Sequence, residues 1–559
     1  MTILIDWQPV GRRIEVSEGK TLLEAAQAAG VELVSVCGGG GTCRGCLVRL
    51  AEGLLSPLSL EEQATLENDE ISSGYRLACQ AVPTSDVIID IPPESLTTPQ
   101  RLQVEDIFEI KPSAVICSDV VPVSFSPSYG LAFDIGTTKL AGFLVDLVSG
   151  HTLARIGQMN PQIAYGEDVI ARIVYCNEHE DGRAILQARL VETLNRMIAN
   201  LCSETHLQPA GIVEMVAVGN TVMHHLFAGL PVQQLGTAPY LPAVTEAMTL
   251  RAGDVGLALS PQTPVYLPPN IAGYVGADHV AVWVATAMAQ SPKTVLAIDI
   301  GTNTEVGLVH NGHFLSCSCA SGPAFEGAHI RDGMRAAPGA IERVRVEDAG
   351  QVSRRPTDHR DGTEHHWQVH IHTIGNQPAV GICGSGILDA VAQLLSVQAI
   401  DKTGNYLANH PLVRVPQNSR RECLLVPASQ TGHGRDVVVN RKDVNEIQLA
   451  KGAIRTGTEI LLYDAGIKAD DIDQFVIAGA FGTYLDLESA IRIGMFPDLP
   501  RDRFKQVGNA AGAGARQLLI SLEHRRMAED LARKIHYVEL TTHPKFTETF
   551  IREIMFPDS

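Results

Sequence analysis

One nine-residue string occurs twice in this chain, and a duplication of that kind dictates a duplicated fold. Leu131-Ala132-Phe133-Asp134-Ile135-Gly136-Thr137-Thr138-Lys139 recurs 165 residues later as Leu296-Ala297-Ile298-Asp299-Ile300-Gly301-Thr302-Asn303-Thr304. Each copy has a further glycine, Gly142 or Gly307, eight residues past its aspartate. Each reads as a buried strand, a tight glycine turn and a second strand, so each is a hairpin with backbone N–H and hydroxyl groups at its tip. Such tips cradle phosphates. The aspartate closing each first strand is placed to hold the water shell of a Mg²⁺ ion, and Lys139 adds a positive charge. Neither copy is the G-x4-G-K-[ST] loop that leads into a helix. A single Asp-x-Gly-Thr turn is compatible with a plain hairpin; two copies imply duplicated α/β subdomains facing each other across a cleft.

A different unit precedes the repeat. Residues 2–6 and 12–16 alternate as two strands about the turn Pro9-Val10-Gly11, and Thr21-Leu22-Leu23-Glu24 opens a helix through a capping box that closes at Gly30. A hairpin followed by a crossing helix begins a β-grasp unit. Next come Cys37-Gly38-Gly39-Gly40-Gly41-Thr42-Cys43-Arg44-Gly45-Cys46 and, 32 residues on, Cys79 in Arg76-Leu77-Ala78-Cys79-Gln80. Four thiolates so spaced suit a [2Fe-2S] cluster, because a glycine-rich loop lets backbone N–H groups approach the sulfides. A four-cysteine zinc site is the alternative, but zinc prefers paired C-x2-C knuckles and one such pair is present. In its cysteines, its glycine run and the Arg-Leu-Ala-Cys-Gln string the segment resembles the [2Fe-2S] ferredoxins. Five residues separate Cys37 from Cys43, one more than in the plant type and as in the adrenodoxin-like branch. The resemblance implies Cys37, Cys43, Cys46 and Cys79 as the cluster ligands.

Charge and length bound the rest. At 559 residues the chain exceeds a single core, since domains run to ~100–200 residues. A net charge of -19 argues against nucleic acid, whose phosphates are bound by Lys and Arg stripes. Residues 1–94 carry fourteen acidic against six basic side chains, a surface suited to docking a basic donor or simply to staying solvated. No apolar run reaches membrane-spanning length, and MTILIDWQPVGRR lacks the basic-then-apolar order of a secretory leader; a cytoplasmic protein is expected. The seven other cysteines are scattered and read as small core residues.

The two hairpins, together with Val476-Ile477-Ala478-Gly479-Ala480-Phe481-Gly482-Thr483, are similar to the sugar kinase, actin and Hsp70 superfamily. That resemblance implies ribonuclease-H-like ATPase subdomains over 129–292 and 293–559, after a ferredoxin-type domain over 1–94 and a linker over 95–128. An exposed insertion is expected at about 343–366, where His359, His365 and His366 read as a solvated loop ahead of a metal site. In the superfamily two loops grip the nucleotide phosphates from opposite sides. This implies ATP with Mg²⁺ held by Asp134, Gly136, Thr137, Thr138 and Lys139 on one loop and Asp299, Gly301, Thr302 and Asn303 on the other, with Gly479, Phe481 and Gly482 bordering adenosine. Gly384 and Ser385, at a glycine turn that starts a helix, either line the nucleotide site or let helices pack closely.

A ferredoxin fused to an actin-like ATPase is a rare pairing. The strings Asn160-Pro161-Gln162, Tyr165-Gly166-Glu167-Asp168 and Val218-Gly219-Asn220-Thr221 with His224, followed by the segments 321–328, 448–454 and 508–513, persuade by their order. With them the whole chain resembles the reductive activators of corrinoid enzymes. Larger members carry a further middle domain between ferredoxin unit and ATPase, for which the linker leaves no room, and other members carry C-terminal [4Fe-4S] clusters, whereas no cysteine here follows Cys423. The resemblance implies a corrinoid protein of a methyltransferase system as partner, an unidentified electron donor, and one-electron reduction of inactive Co(II) to Co(I); monomer and homodimer stay open. A one-electron gap of ~60 mV costs ~1.4 kcal/mol, so a gap of one or two hundred millivolts is within reach of ATP. No catalytic residue is identified: Glu305 and Glu326 are candidates for positioning the attacking water and equally for structural carboxylates. The segment 316–327 is implied at the partner, with Ser318 or Ser321 near the corrin. The competing readings are an ATP-driven donor to another low-potential enzyme, a small-molecule kinase with a redox-sensing ferredoxin, and a carrier whose nucleotide domain only docks partners.

Overall fold

A computed structural model describes residues 2–558 apart from 32, 34–38, 42–44, 93–94, 96–127, 167, 328, 349–366, 417–419 and 433. The N-terminal unit follows its alternation. β1 (Thr2–Gln8) and β2 (Arg12–Ser17) pair antiparallel, and the helix Leu22–Ala29 is held by the reciprocal Thr21–Glu24 capping box and by Gly30 in the left-handed conformation. β3 (Leu47–Glu52), β4 (Tyr75–Leu77) and β5 (Val87–Asp90) complete a sheet of order β2-β1-β5-β3-β4. Ile5, Trp7, Leu22, Ala25, Val48, Leu77 and Ile89 fill its core. This is the expected β-grasp arrangement. Nearly all of the segment read as a linker, residues 96–127, lies outside the described residues.

The duplication is visible in the topology. β6 (Tyr129–Ile135), β7 (Lys139–Asp146) and β8 (Thr152–Met159) form an antiparallel meander, and β9 (Ile212–Gly219), β10 (Met248–Arg251) and β11 (Pro264–Leu267) extend it to the order β10-β11-β9-β6-β7-β8. The second meander is β12 (Val295–Ile300), β13 (Thr304–His310) and β14 (His313–Cys319). Two small sheets interrupt it: β15 (Ala340–Asp348), β16 (Trp367–Thr373) and β17 (Gly381–Ile382), then β18 (Val413–Arg414), β19 (Glu422–Val426) and β20 (Val437–Asn440). β21 (Gln474–Ala478), β22 (Phe504–Gly508) and β23 (His536–Tyr537) then complete the order β22-β21-β12-β13-β14-β23. In both sheets the first meander strand takes a parallel neighbour on its free side, β9 on β6 and β21 on β12. Each repeated aspartate therefore ends a central strand, Asp134 opposite Ala141 and Asp299 opposite Glu305. Residues 343–348 of the expected insertion belong to β15, which pairs with β16; 349–366, with its three histidines, lies outside the described residues.

A shared core joins the two halves. Phe143 and Val216 from one sheet, Val295 and Val476 from the other, and Trp283, Ala513 and Leu518 from the helices Ala277–Thr286 and Ala510–Ile520 form one buried cluster. Those helices approach closely because the second is rich in glycine and alanine; a Cβ on Gly514 would overlap the Ala281 carbonyl oxygen. Gly514→Ala is thus expected to lower stability by about 1–3 kcal/mol, read as the unfolding midpoint in denaturant. Gly211→Ala, where a Cβ meets nothing within 4 Å, is the matched control.

Candidate functional site

The two hairpin tips meet across a cleft of about 1500 Å³ that is continuous with solvent. Its walls include Asp134, Gly136, Thr137, Thr138 and Lys139 from the first tip, and Asp299, Gly301, Thr302 and Asn303 from the second. The tips touch: the Thr138 and Thr302 hydroxyl oxygens are 2.8 Å apart, and both donate to Glu326 Oε1, at 2.8 and 2.7 Å. Two hairpin turns placed by separate sheets thus bring their hydroxyls to one carboxylate. Behind the first tip the buried Arg172 guanidinium donates to the carbonyls of Thr137 at 2.5 Å and Gly166 at 3.0 Å and to Gln162 Oε1 at 3.2 Å. Burial brings this arginine down to about 9.

Four carboxyl groups gather beside the tips. Burial pushes Asp134 up to about 6; burial and the neighbouring Asp134 push Asp299 up to about 7; burial with Asp299 and Asp134 pushes Asp278 up to about 8. Glu305 is raised well above the carboxylate range by burial and by Asp278 and Asp299. Asn509, whose Nδ2 donates to Asp134 Oδ2 at 3.0 Å, eases the first of them by a side-chain hydrogen bond. Such a set is costly as anions and welcomes a divalent cation. Among the described residues no three His, Cys, Asp or Glu side chains converge tightly enough to ligate one ion directly. The donor set therefore fits a hydrated Mg²⁺, which keeps several of its waters.

The remaining wall comes from later segments. Gly384, Ser385, Gly479, Phe481 and Tyr484 line it, and Phe481 stacks on Phe325 at 4.9 Å. Gly479 has φ +91°, and a Cβ there would lie 2.5 Å from the Ile300 carbonyl oxygen and 2.8 Å from Asp299 Oδ1, so only glycine lets this turn close over the second tip. Gly384 serves both readings made of it, since it lines the cleft and a Cβ on it would overlap the Phe325 carbonyl. Gly482 is the exception among the sequence-derived residues: it is absent from the cleft wall and packs on Ile477 of β21. Of the two candidate water-positioners, Glu305 and Glu326 both line the cleft. Ser321 is buried and bonded to Thr304 and to the Thr302 carbonyl, so its hydroxyl faces inward; Ser318 donates to Glu305 at 3.4 Å. Sequence reasoning gives no cleft role to Asp278, Asn509, Arg172 or Arg335, as none belongs to the repeated string, although Asn509 falls in the segment 508–513 that carries the family resemblance.

The cysteine unit lies in the N-terminal sheet. Cys46 and Cys79 are buried, and the Ala78 N–H donates to the Cys46 carbonyl at 2.9 Å, tying their two segments together. Gln80 Nε2 donates to the Gly39 carbonyl at 2.8 Å and lies 3.6 Å from Cys79 Sγ. The fully buried Glu62 accepts from Arg76 at 2.8 Å and from the Leu77 N–H at 3.0 Å, which holds the strand that delivers Cys79. Burial opposes the charge on Glu62, but Arg76 and the N–H groups of Ser59 and Leu77 outweigh it and keep the carboxyl below its usual range. Cys37 and Cys43 lie outside the described residues. The glycine-loop backbone bound by Gln80, together with two buried thiols, fits a [2Fe-2S] cluster.

Comparison with known proteins agrees with this geometry. Residues 5–84 match the 2Fe-2S iron-sulfur cluster binding domain, 129–291 the RACo middle region, and 293–559 the C-terminal domain of RACo, the ASKHA domain. The matched middle region is the unit that carries the first hairpin. The chain is 33% identical to the corrinoid activation enzyme RamQ of Eubacterium limosum over 98% of both chains. It is 26% identical to the [Co(II) methylated amine-specific corrinoid protein] reductase of Methanosarcina barkeri, over 77% of both. A solved reductive activator for corrinoid,iron-sulfur protein superposes with a TM-score of 0.67 at 32% identity, covering 99% of this chain and 98% of that one.

Proposed function

The chain belongs to the family of reductive activators of corrinoid proteins, and from that premise we propose how its own residues carry out the reaction. The protein is an ATP-hydrolysing iron–sulfur reductase that returns an inactive Co(II) corrinoid protein to Co(I). When bound, the [2Fe-2S] cluster supplies a one-electron carrier and MgATP the free energy that makes the transfer downhill. Cys37, Cys43, Cys46 and Cys79 hold the cluster. Thr138 and Thr302 receive the phosphates from opposite sides in place of their shared partner Glu326, and Asp134, Asp278 and Asp299 orient the cation through its waters. Gly479 and Phe481 border the adenosine, while Gly384 and Ser385 shape the wall beside it. Glu326, freed from the two threonines, is positioned to orient the attacking water.

The reading is supported above all by one observation: two hairpins from duplicated sheets put their hydroxyls on a single carboxylate beside four further carboxyl groups. No helix among the described residues is long and apolar enough to cross a membrane, and the net charge of -19 favours a partner other than nucleic acid. The electron donor is expected to present a basic face to the acidic ferredoxin surface. ADP release tests the reading against a small-molecule kinase: turnover is expected to rise when a Co(II) corrinoid protein is added and to ignore sugars, whereas sugar-dependent turnover unaffected by any corrinoid protein would contradict it.

A further inference from the structure

The ferredoxin domain is seated on both halves of the ATPase, and one of its anchors lines the nucleotide cleft. On the first half, Arg189 donates to the Ser73 carbonyl at 3.4 Å and Arg49 lies over the Tyr165 ring at 5.9 Å. On the second half, the buried Arg12 donates to the Val380 carbonyl at 2.5 Å and to the Gly333 carbonyl at 3.4 Å, while its Nε keeps the Ala29 carbonyl of its own domain at 3.1 Å. Arg335 answers from the other side. Its backbone N–H donates to the Val10 carbonyl at 3.3 Å, and its Nη1 donates to Gln8 Oε1 at 2.9 Å and to the Pro9 carbonyl.

The same guanidinium faces the phosphate tips. Arg335 is 5% exposed and lines the cleft. Among the described residues its Nε makes no hydrogen bond, nor does Glu326 Oε2, 3.8 Å away. Glu326 Oε1 is the atom shared by Thr138 and Thr302. An unbroken line thus runs from the ferredoxin turn Gln8-Pro9 through Arg335 and Glu326 to both hairpin tips. A phosphate entering between the tips takes the two hydroxyls and repels the Glu326 carboxylate. It also offers Arg335 a stronger, doubly anionic partner than the neutral oxygens of Gln8 and Pro9.

We propose that Arg335 is a positioning residue that couples nucleotide binding to the ferredoxin seat: phosphate in the cleft draws its guanidinium away from Gln8 and Pro9 and releases the cluster-bearing domain. This inference rests on the reading that the cleft takes MgATP. Coupling of this kind is reciprocal, so whatever weakens the seat must tighten the nucleotide by up to the same factor. The released domain is then free to carry its cluster toward a partner, and it returns to its seat once the cleft is empty.

The test uses the full-length protein with its cluster and the non-hydrolysable analogue MgAMP-PNP. Arg12→Ala, which removes a seat contact far from the phosphates, is expected to tighten MgAMP-PNP about five- to tenfold; Gln8→Ala serves as a second seat variant should the first unfold. In an Arg335→Gln background the same substitutions are expected to leave the affinity unchanged, as in any double-mutant cycle whose coupling residue is gone. Hydrogen exchange at the Arg335 amide, bonded to Val10 across the interface, is expected to quicken with MgAMP-PNP in the wild type. Unchanged or weaker binding in both seat variants, or tightening that persists without Arg335, would overturn the coupling alone. Failure of the wild type to bind MgAMP-PNP, or binding insensitive to Asp299→Asn, would overturn the cleft reading with it.

Discussion

A Cys46→Ala protein is expected to hydrolyse ATP and deliver no electrons. Cys46 is 1% exposed just before β3, and its carbonyl takes the Ala78 N–H at 2.9 Å, so the backbone there is held without the thiol. The substitution removes one of four cluster ligands and little else. Even outer partners of a metal site are worth 10–100-fold, so loss of a direct ligand is expected to cut Co(I) formation by at least on the order of a hundredfold and to bleach the visible absorption of the cluster. Cys176→Ala, a buried cysteine of the first ATPase half, is expected to change neither. Bleaching in both variants would mean that the cysteines act through general stability.

The second large effect separates the other way. Asp299→Asn keeps the volume at the end of β12 and removes a carboxyl that burial and Asp134 already hold near neutrality at about 7. The empty protein therefore tolerates the change well, whereas the cation-bound state loses a charge aimed at its waters. ATP hydrolysis and ATP-dependent Co(I) formation are both expected to fall on the order of a hundredfold, as when one preorganised polar group is removed from an active site. The cluster spectrum is expected to stay intact, and steady-state ADP release against the visible spectrum checks both. Asp278→Asn is expected to behave alike, because its carboxyl belongs to the same buried set.

The parts of the site that were legible in the sequence are those built by local backbone geometry. Asp134 to Lys139 and Asp299 to Asn303 are contiguous turns, so their pattern survives in the string and its repetition names them. The β-grasp opening was legible for the same reason, down to the Thr21–Glu24 cap. What stayed hidden depends on packing between distant segments. Asp278 reaches the cleft because the helix Ala277–Thr286 lies against the seam, Asn509 because β22 ends beside β6, and Arg335 because the loop after Glu326 turns back under the ferredoxin domain. Gly482 shows the converse: it belongs to a string whose resemblance implies a place beside adenosine, yet a Cβ on it would meet Ile477. The seat was not legible, because its arginines Arg12 and Arg335 look like ordinary surface charges in a string.

The most direct measurement mixes the anaerobically reduced protein with a Co(II) corrinoid protein and follows the Co(I) absorbance with and without MgATP. Co(I) that forms only with MgATP, and is absent in Cys46→Ala and strongly reduced in Asp299→Asn, is the expected result. Cluster reduction and ATP turnover without Co(I) from any corrinoid protein, or Co(I) formed equally well without nucleotide, would contradict the account.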